Sequence, residues 1–244
     1  MVERFPSIIC DVDGCLVPPR KEPWDFQGLA RLADKIAEKR FSFTLCSGRP
    51  ATFLEALARQ LILEQHCICE NGALLFHPLT KQALIHPNIP KEYLAEQGNI
   101  RAILQELIAG TPMVIELGKD IMFSVNSSDK SILDELCEQV QEKLAGAPVV
   151  VVNSSRSVEV IPKGVNKAAG LEFWAEVEGI DIANTLSIGD ADNDLEILRA
   201  AGRAAAPGNC TDNVRQTVDY VAQEPMVQGV LEICDKAQEL VFGN

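Results

Sequence analysis

Two aspartates one residue apart, Asp11 and Asp13, follow an apolar run in the stretch IICDVDGCLVPP, and a glycine comes directly after them. On an extended chain residues i and i+2 point the same way, so the two carboxylates repel unless a positive charge lies beside them. Polar groups recur at the ends of other apolar runs. Ser47, Gly48 and Arg49 close FSFTLCSGR, Asp190 closes TLSIGD and is followed by Asn193 and Asp194, and Lys167 stands in PKGVNKAAGL. In an open parallel α/β sheet, ligands bind outside the carboxyl ends of the strands. These clusters are therefore predicted to share one rim.

Their residue types suit phosphoryl transfer. Asp11 and Asp190 offer the hard oxygen ligands that Mg²⁺ takes, and such a cation answers the repulsion between Asp11 and Asp13. Partly neutralised, Asp11 is a candidate nucleophile toward phosphorus, and Asp13 a candidate acid and base for the leaving oxygen and the attacking water. Ser47, the Gly48 amide and Lys167 would hold the phosphate oxygens. Asn166 is a natural N-cap that makes Lys167 the first residue of a helix. A cation there opposes the helix dipole unless an anion lies in front of it, and a phosphate would serve. Taken singly, each motif also has a plain reading: a D-G turn at Asp13, a Ser-Gly cap, an acidic helix start in GDADNDLEIL, and a solvated lysine at position 167. Their combination is what points to a site.

Strands and helices must position these groups. FPSIICDVDG, FSFTLCSGRP and HCICENGA read as strands, and DFQGLARLADKIAEKR and ATFLEALARQLIL as amphipathic helices between them. Pro50 is a good first-turn residue for the second helix. The rhythm returns in KAAGLEFWAEVEG, TLSIGDAD, NDLEILRAAG, RAAAP and DYVAQ. Alternation of this kind implies a parallel sheet covered on both faces. Between about Leu79 and Pro162 the pattern becomes hairpin, helix, hairpin, helix, hairpin, with turns at Gly118-Lys119 and Ser154-Ser155-Arg156. The expected class is α/β: a Rossmann-like core of residues 1–80 and 163–244 with a smaller inserted α+β domain, 81–162.

The bulk composition excludes several function classes. With 244 residues, 47% hydrophobic and 23% charged, the chain is ordinary globular material, and its net charge of −13 argues against nucleic-acid or membrane-surface partners. The eight cysteines contain no CxxC pair, and His66, His77 and His86 are not at metal-ligand spacing from them. With no signal-like segment before MVERFPSIIC and no run long enough to span a membrane, the expectation is a cytoplasmic protein with reduced thiols.

The set DVDGCL, LCSGRP, GVNKAAGL and IGDADNDLEIL, in this order, resembles the four motifs of the haloacid dehalogenase-like phosphatases, and the insertion between the second and third resembles the subclass with a type IIB cap. CENGALL and AAPGNCTDNVRQTVDYV are also similar to family segments. The resemblance implies Asp11 as nucleophile, Asp13 as acid and base, Ser47, Gly48 and Lys167 as phosphate holders, and Asp11, Asp13 (through its carbonyl), Asp190, Asn193 and Asp194 around Mg²⁺. Arg49, Asn71 and Asn209 at the rim are candidate substrate contacts. Cys15 stands where the family usually has threonine, and a thiol is the weaker donor. The implied activity is Mg²⁺-dependent hydrolysis of a small phosphorylated metabolite, a sugar phosphate or a phosphoglycolate-like acid, by a monomer or small homo-oligomer. A phosphomutase of the phosphomannomutase type and a non-catalytic phosphate-ligand binding protein are the alternatives. In the insert, Glu116, Lys119, Asn126 and Arg156 are polar candidates that read first as exposed surface residues.

Overall fold

The computed structural model describes residues 5–18, 22–154 and 157–243. It divides into two compact units, Met1–Leu84 with Asn166–Asn244, and Ile85–Val165. The division falls three or four residues beyond the expected 80/81 and 162/163.

The first unit holds a parallel sheet of β1 (Ser7–Cys10), β2 (Ser42–Leu45), β10 (Thr185–Ile188), β11 (Arg203–Ala206) and β12 (Tyr220–Val221), in the order β12-β11-β10-β1-β2. β1 and β10 are fully buried along their length, as strands covered on both faces must be. The order reverses direction between β1 and β10. That reversal is the topological switch point at which an open sheet leaves a crevice for a ligand.

Helices α1 (Phe26–Ala37) and α8 (Met226–Phe242) pack together, as do α5 (Lys167–Glu178) and α6 (Leu195–Ala200), while α2 (Ala51–Gln60) lies against β2 and α7 (Asp212–Arg215) is a single turn. Asp25 caps α1 by accepting from the Gly28 amide at 2.8 Å. Pro50 sits one residue ahead of α2, with extended ψ, rather than inside its first turn. On the α5 side, Leu171 and Trp174 are buried against Ile9, Cys46, Ile68 and Leu75. Burial of each such side chain contributes roughly 1.5–3 kcal/mol. The Trp174 indole N–H donates to the His66 carbonyl at 2.9 Å, so its polar end is also satisfied.

HCICENGA departs from the expected third parallel strand. β3 (Cys67–Cys69) has one parallel bridge, Ile68 to Cys46, and otherwise pairs antiparallel with β4 (Leu74–Phe76) in a small sheet completed by β5 (Ala83–Ile85). The chain reverses at Glu70 and Asn71, both with positive φ (52° and 54°), and then at Gly72. This tight reversal brings β4 back onto β3, and the first unit therefore keeps most of the hairpin that the sequence pattern assigned to the insert.

The second unit has α3 (Lys91–Leu107), α4 (Lys130–Lys143) and an antiparallel sheet of β6 (Val114–Ile115), β7 (Phe123–Asn126), β8 (Val149–Asn153) and β9 (Ser157–Pro162), in the order β6-β7-β9-β8. Tyr93, in the first turn of α3, is fully buried, its hydroxyl donating to the Ile121 carbonyl. Lys119 corrects an expectation, being buried rather than exposed: its ammonium donates to Ser124 Oγ and pairs with Glu116 at 3.1 Å. Ser155 and Arg156 lie outside the described residues.

Candidate active site

Asp11 is the first residue beyond β1, and its amide donates to the Ile188 carbonyl at 2.8 Å, so the end of β10 holds it in register. The loop after it is tight: the Leu16 and Val17 amides donate to Val12 O (2.9 and 3.0 Å) and the Gly14 amide to Val17 O (2.7 Å). Gly14 has φ +96°, and a Cβ there would lie 2.2 Å from Asp190 Oδ2. Only glycine accepts both constraints, so the glycine of the D-G dipeptide brings backbone and carboxylate together as well as making the turn.

Lys167 is 3% exposed and donates to Asp11 Oδ1 at 2.6 Å and Asp194 Oδ1 at 2.5 Å. The solvated-lysine reading is thereby excluded. Asn166 caps α5 through the Ala169 amide at 2.8 Å, and the anions that face this helix start are two protein carboxylates. The approach of α5 depends on Gly170 and Gly72, since a Cβ on Gly170 would meet Gly72 Cα at 2.5 Å.

Asp194 also accepts from the Asp190 and Ala191 amides at 3.1 and 3.2 Å and is 1% exposed. It therefore ties the loop after β10 to Lys167. Asn193, its neighbour, is exposed. Asp190 lies beside Cys15, whose thiol is 3.6 Å from Asp190 Oδ1, and ligand atoms of Asp11, Cys15 and Asp190 fall within 4.8 Å of one another.

Ser47 and Gly48 leave β2 beside Asp11. The Ser47 amide donates to Ile68 O at 2.9 Å, and its Oγ accepts from the Arg49 amide at 3.2 Å. Asn71 approaches Gly48 so closely that a Cβ there would meet Asn71 Oδ1 at 2.9 Å. Asn209 spends both ends of its amide on backbone, donating to Gly14 O (3.0 Å) and accepting from the Met226 amide (2.7 Å). It braces the loop that follows β1. Arg49 grips Asp13 with two parallel bonds, Nε to Oδ2 at 2.8 Å and Nη2 to Oδ1 at 2.6 Å. The sequence named both residues without pairing them. The signal was the adjacency of β1 and β2, which brings their ends side by side.

The electrostatics follow from burial. Burial pushes the Asp11 carboxyl above the usual range, the Asp194 charge adds to this, and Lys167 opposes it. Asp190 is pushed up to about 6, first by burial and then by Asp194. Burial pulls Lys167 down, but the Asp11 and Asp194 charges more than offset it, so the ammonium persists. Asp11, Asp190 and Asp194 around Lys167 leave an excess of two negative charges when all are ionised. A divalent cation carries the matching charge. A buried carboxylate paired with an ammonium, a second carboxylate on the next strand end and a paired Asp13 form the kind of set that phosphoryl transfer needs.

Comparisons with known proteins agree with this geometry. A family profile described as haloacid dehalogenase-like hydrolase matches residues 8–106 and 114–233. The chain is 33% identical over 237 residues to a phosphoglycolate phosphatase of Methanobrevibacter smithii, covering 94% of this chain and 97% of the relative. It is 32% identical over 238 residues to a 5-amino-6-(5-phospho-D-ribitylamino)uracil phosphatase of Bacillus subtilis, covering 91% and 92%. Among solved structures, Thermoplasma acidophilum 0175 superposes with a TM-score of 0.77 at 20% identity over 97% of this chain and 99% of its own. Because the matched stretches contain every strand end that carries a site residue, we conclude that this chain belongs to the haloacid dehalogenase-like hydrolases, on their phosphatase branch.

Proposed function

We propose that the protein is a Mg²⁺-dependent phosphatase of a small phosphorylated metabolite, a sugar phosphate or a phosphoglycolate-like acid, acting in the cytoplasm through an aspartyl-phosphate. The observation that carries this reading is the buried pairing of Asp11 with Lys167 beside Asp190 at the switch point of the sheet.

The donor set fits Mg²⁺: Asp11 and Asp190 offer carboxylate oxygens close together, both are raised by burial as carboxylates awaiting a countercharge are, and the local excess is two negative charges. Asp11, Asp190 and the Asp13 carbonyl would hold the ion, with Asp194 and Asn193 behind them. When bound, it supplies charge neutralisation between nucleophile and phosphate.

Lys167 holds Asp11 Oδ1, which leaves Oδ2 to attack phosphorus. The ester P–O bond breaks as the Asp11–phosphorus bond forms, and Asp13 gives its proton to the leaving oxygen. Asp13 then takes a proton from water, the oxygen of that water attacks phosphorus, and the Asp11 bond breaks to release inorganic phosphate. A positioned acid and base of this kind contributes about 10²–10⁴ in rate. Ser47, the Gly48 amide and Lys167 hold the equatorial oxygens as their charge redistributes. Among the described residues no helix is long and apolar enough to cross a membrane, and all eight cysteines are free.

The test is phosphate release from sugar phosphates, phosphoglycolate and phosphoglycerates, with Mg²⁺ and with a chelator. Release should need Mg²⁺ and vanish in Asp11→Asn. Near-normal release by that variant would overturn the mechanism.

A further inference from the structure

The pairing of Asp13 with Arg49 presents the mechanism with an obstacle. A general acid needs one carboxyl oxygen facing the leaving group, yet both Asp13 oxygens accept N–H donors from a single guanidinium, at 2.8 and 2.6 Å. Arg49 is itself well fixed. Its guanidinium carbon lies 5.0 Å from the centroid of the Phe53 ring, and its amide is tied to Ser47 Oγ at 3.2 Å. The two side chains are 26% and 31% exposed, so a soluble anion can reach the pair.

We propose that Arg49 is a latch on Asp13 that is opened by negative charge on the leaving group. This rests on the phosphatase reading and on the role of Asp13 within it. The leaving oxygen must come to Asp13, so a carboxylate whose carbon is two bonds beyond that oxygen arrives next to the Arg49 fork. It replaces Asp13 bond for bond, because a guanidinium accepts any planar carboxylate in the same two-bond geometry. Asp13 is thereby freed toward the leaving oxygen, and it takes from solvent the proton that it gives to that oxygen. A neutral leaving group offers no replacement, and the pair must open at its own cost. Arg49 is thus a positioning residue that makes phosphorylated small acids the favoured substrate class over phosphorylated alcohols of the same size.

The experiment compares kcat and KM for 2-phosphoglycolate and 2-hydroxyethyl phosphate, which differ in the carboxylate, in wild type, Arg49→Ala and Arg49→Lys. Wild type should favour the acid in kcat/KM by about tenfold or more, on the scale of one partly exposed charge-assisted pair, with the deficit of the neutral ester in kcat. Arg49→Ala should bring the ratio close to one, and Arg49→Lys, which keeps the charge but lacks the fork, should restore only part of it. A wild-type ratio near one, or a ratio that survives in Arg49→Ala, overturns the latch. Thermal melting of each variant checks the fold, and the wild-type ratio tests the inference even where a variant is unstable. If the Mg²⁺-dependent panel is active and the ratio does not respond to Arg49, only the latch falls. If no compound releases phosphate, the phosphatase reading falls and the latch with it.

Discussion

Asp190→Asn should make the metal-free protein more stable while destroying its activity. In the folded chain the Asp190 carboxyl is pushed up from the ordinary value of 3.8 to about 6, chiefly by burial and then by the Asp194 charge. A shift of roughly two units corresponds to about 3 kcal/mol against the ionised form. Asp190 is not fully enclosed, and solvent screening trims this to about 2 kcal/mol. The sign follows from linkage. A carboxyl whose folded pKa lies above its unfolded value costs stability in full above the folded pKa, and the cost is relieved as pH falls from about 6 toward 3.8. At pH 7.5 in chelator, the asparagine variant should therefore melt above wild type by about 4–8 °C, at roughly 2–4 °C per kcal/mol for a chain of this size. At pH 4.5 the gap should shrink. Saturating Mg²⁺ should raise the wild-type midpoint by mass action and leave the variant unmoved. Thermal melts followed by circular dichroism at both pH values, with chelator and with Mg²⁺, read all of this. A variant that melts below wild type at pH 7.5 in chelator would refute the reasoning, since Asp190 would then be a stabilising partner rather than a charge held for a cation.

Two further substitutions bear on the same cluster. Lys167→Met strips the ammonium from two buried carboxylates and should cost about 3–5 kcal/mol along with turnover. Adding Asp11→Asn should recover part of that loss, and strictly additive losses in urea unfolding would show the pair to be uncoupled. Cys15→Thr replaces a thiol 3.6 Å from Asp190 Oδ1 with the stronger hydroxyl donor and should pull the Asp190 pKa down from about 6. In chelator, the pH below which thermal melts show the cost of the Asp190 charge being relieved should then move down, and an unmoved profile would mean that Cys15 does not set the charge of Asp190.

The sequence by itself determined the elements and the chemistry that ends them. Short apolar runs mark β1, β2 and β10 as buried strands, and the 3.6-residue period marks α1 and α2, because local side-chain placement is fixed by backbone geometry. Asp11, Asp13, Ser47 and Asp190 were legible because carboxylates and a hydroxyl at the carboxyl ends of strands have few structural uses there, and Lys167 because a cation at a helix start opposes the dipole. The N-cap at Asn166 was legible for the same local reason, since a cap concerns only the next turn. Tertiary structure alone decided the rest, because each remaining feature depends on residues far apart in the chain. β3 turned out to belong with β4, since the left-handed turn at Glu70 and Asn71 favours the hairpin over a longer parallel ladder. Lys119 is buried where a lysine in a turn reads as surface, its charge met by Glu116 and Ser124. Lys167 meets Asp11 across 156 positions and Arg49 meets Asp13 across 36. No pattern of residue types encodes which charge answers which. That is settled when the order β10-β1-β2 places three strand ends side by side, and Gly14, Gly72 and Gly170 let the chain come close enough for the charges to pair.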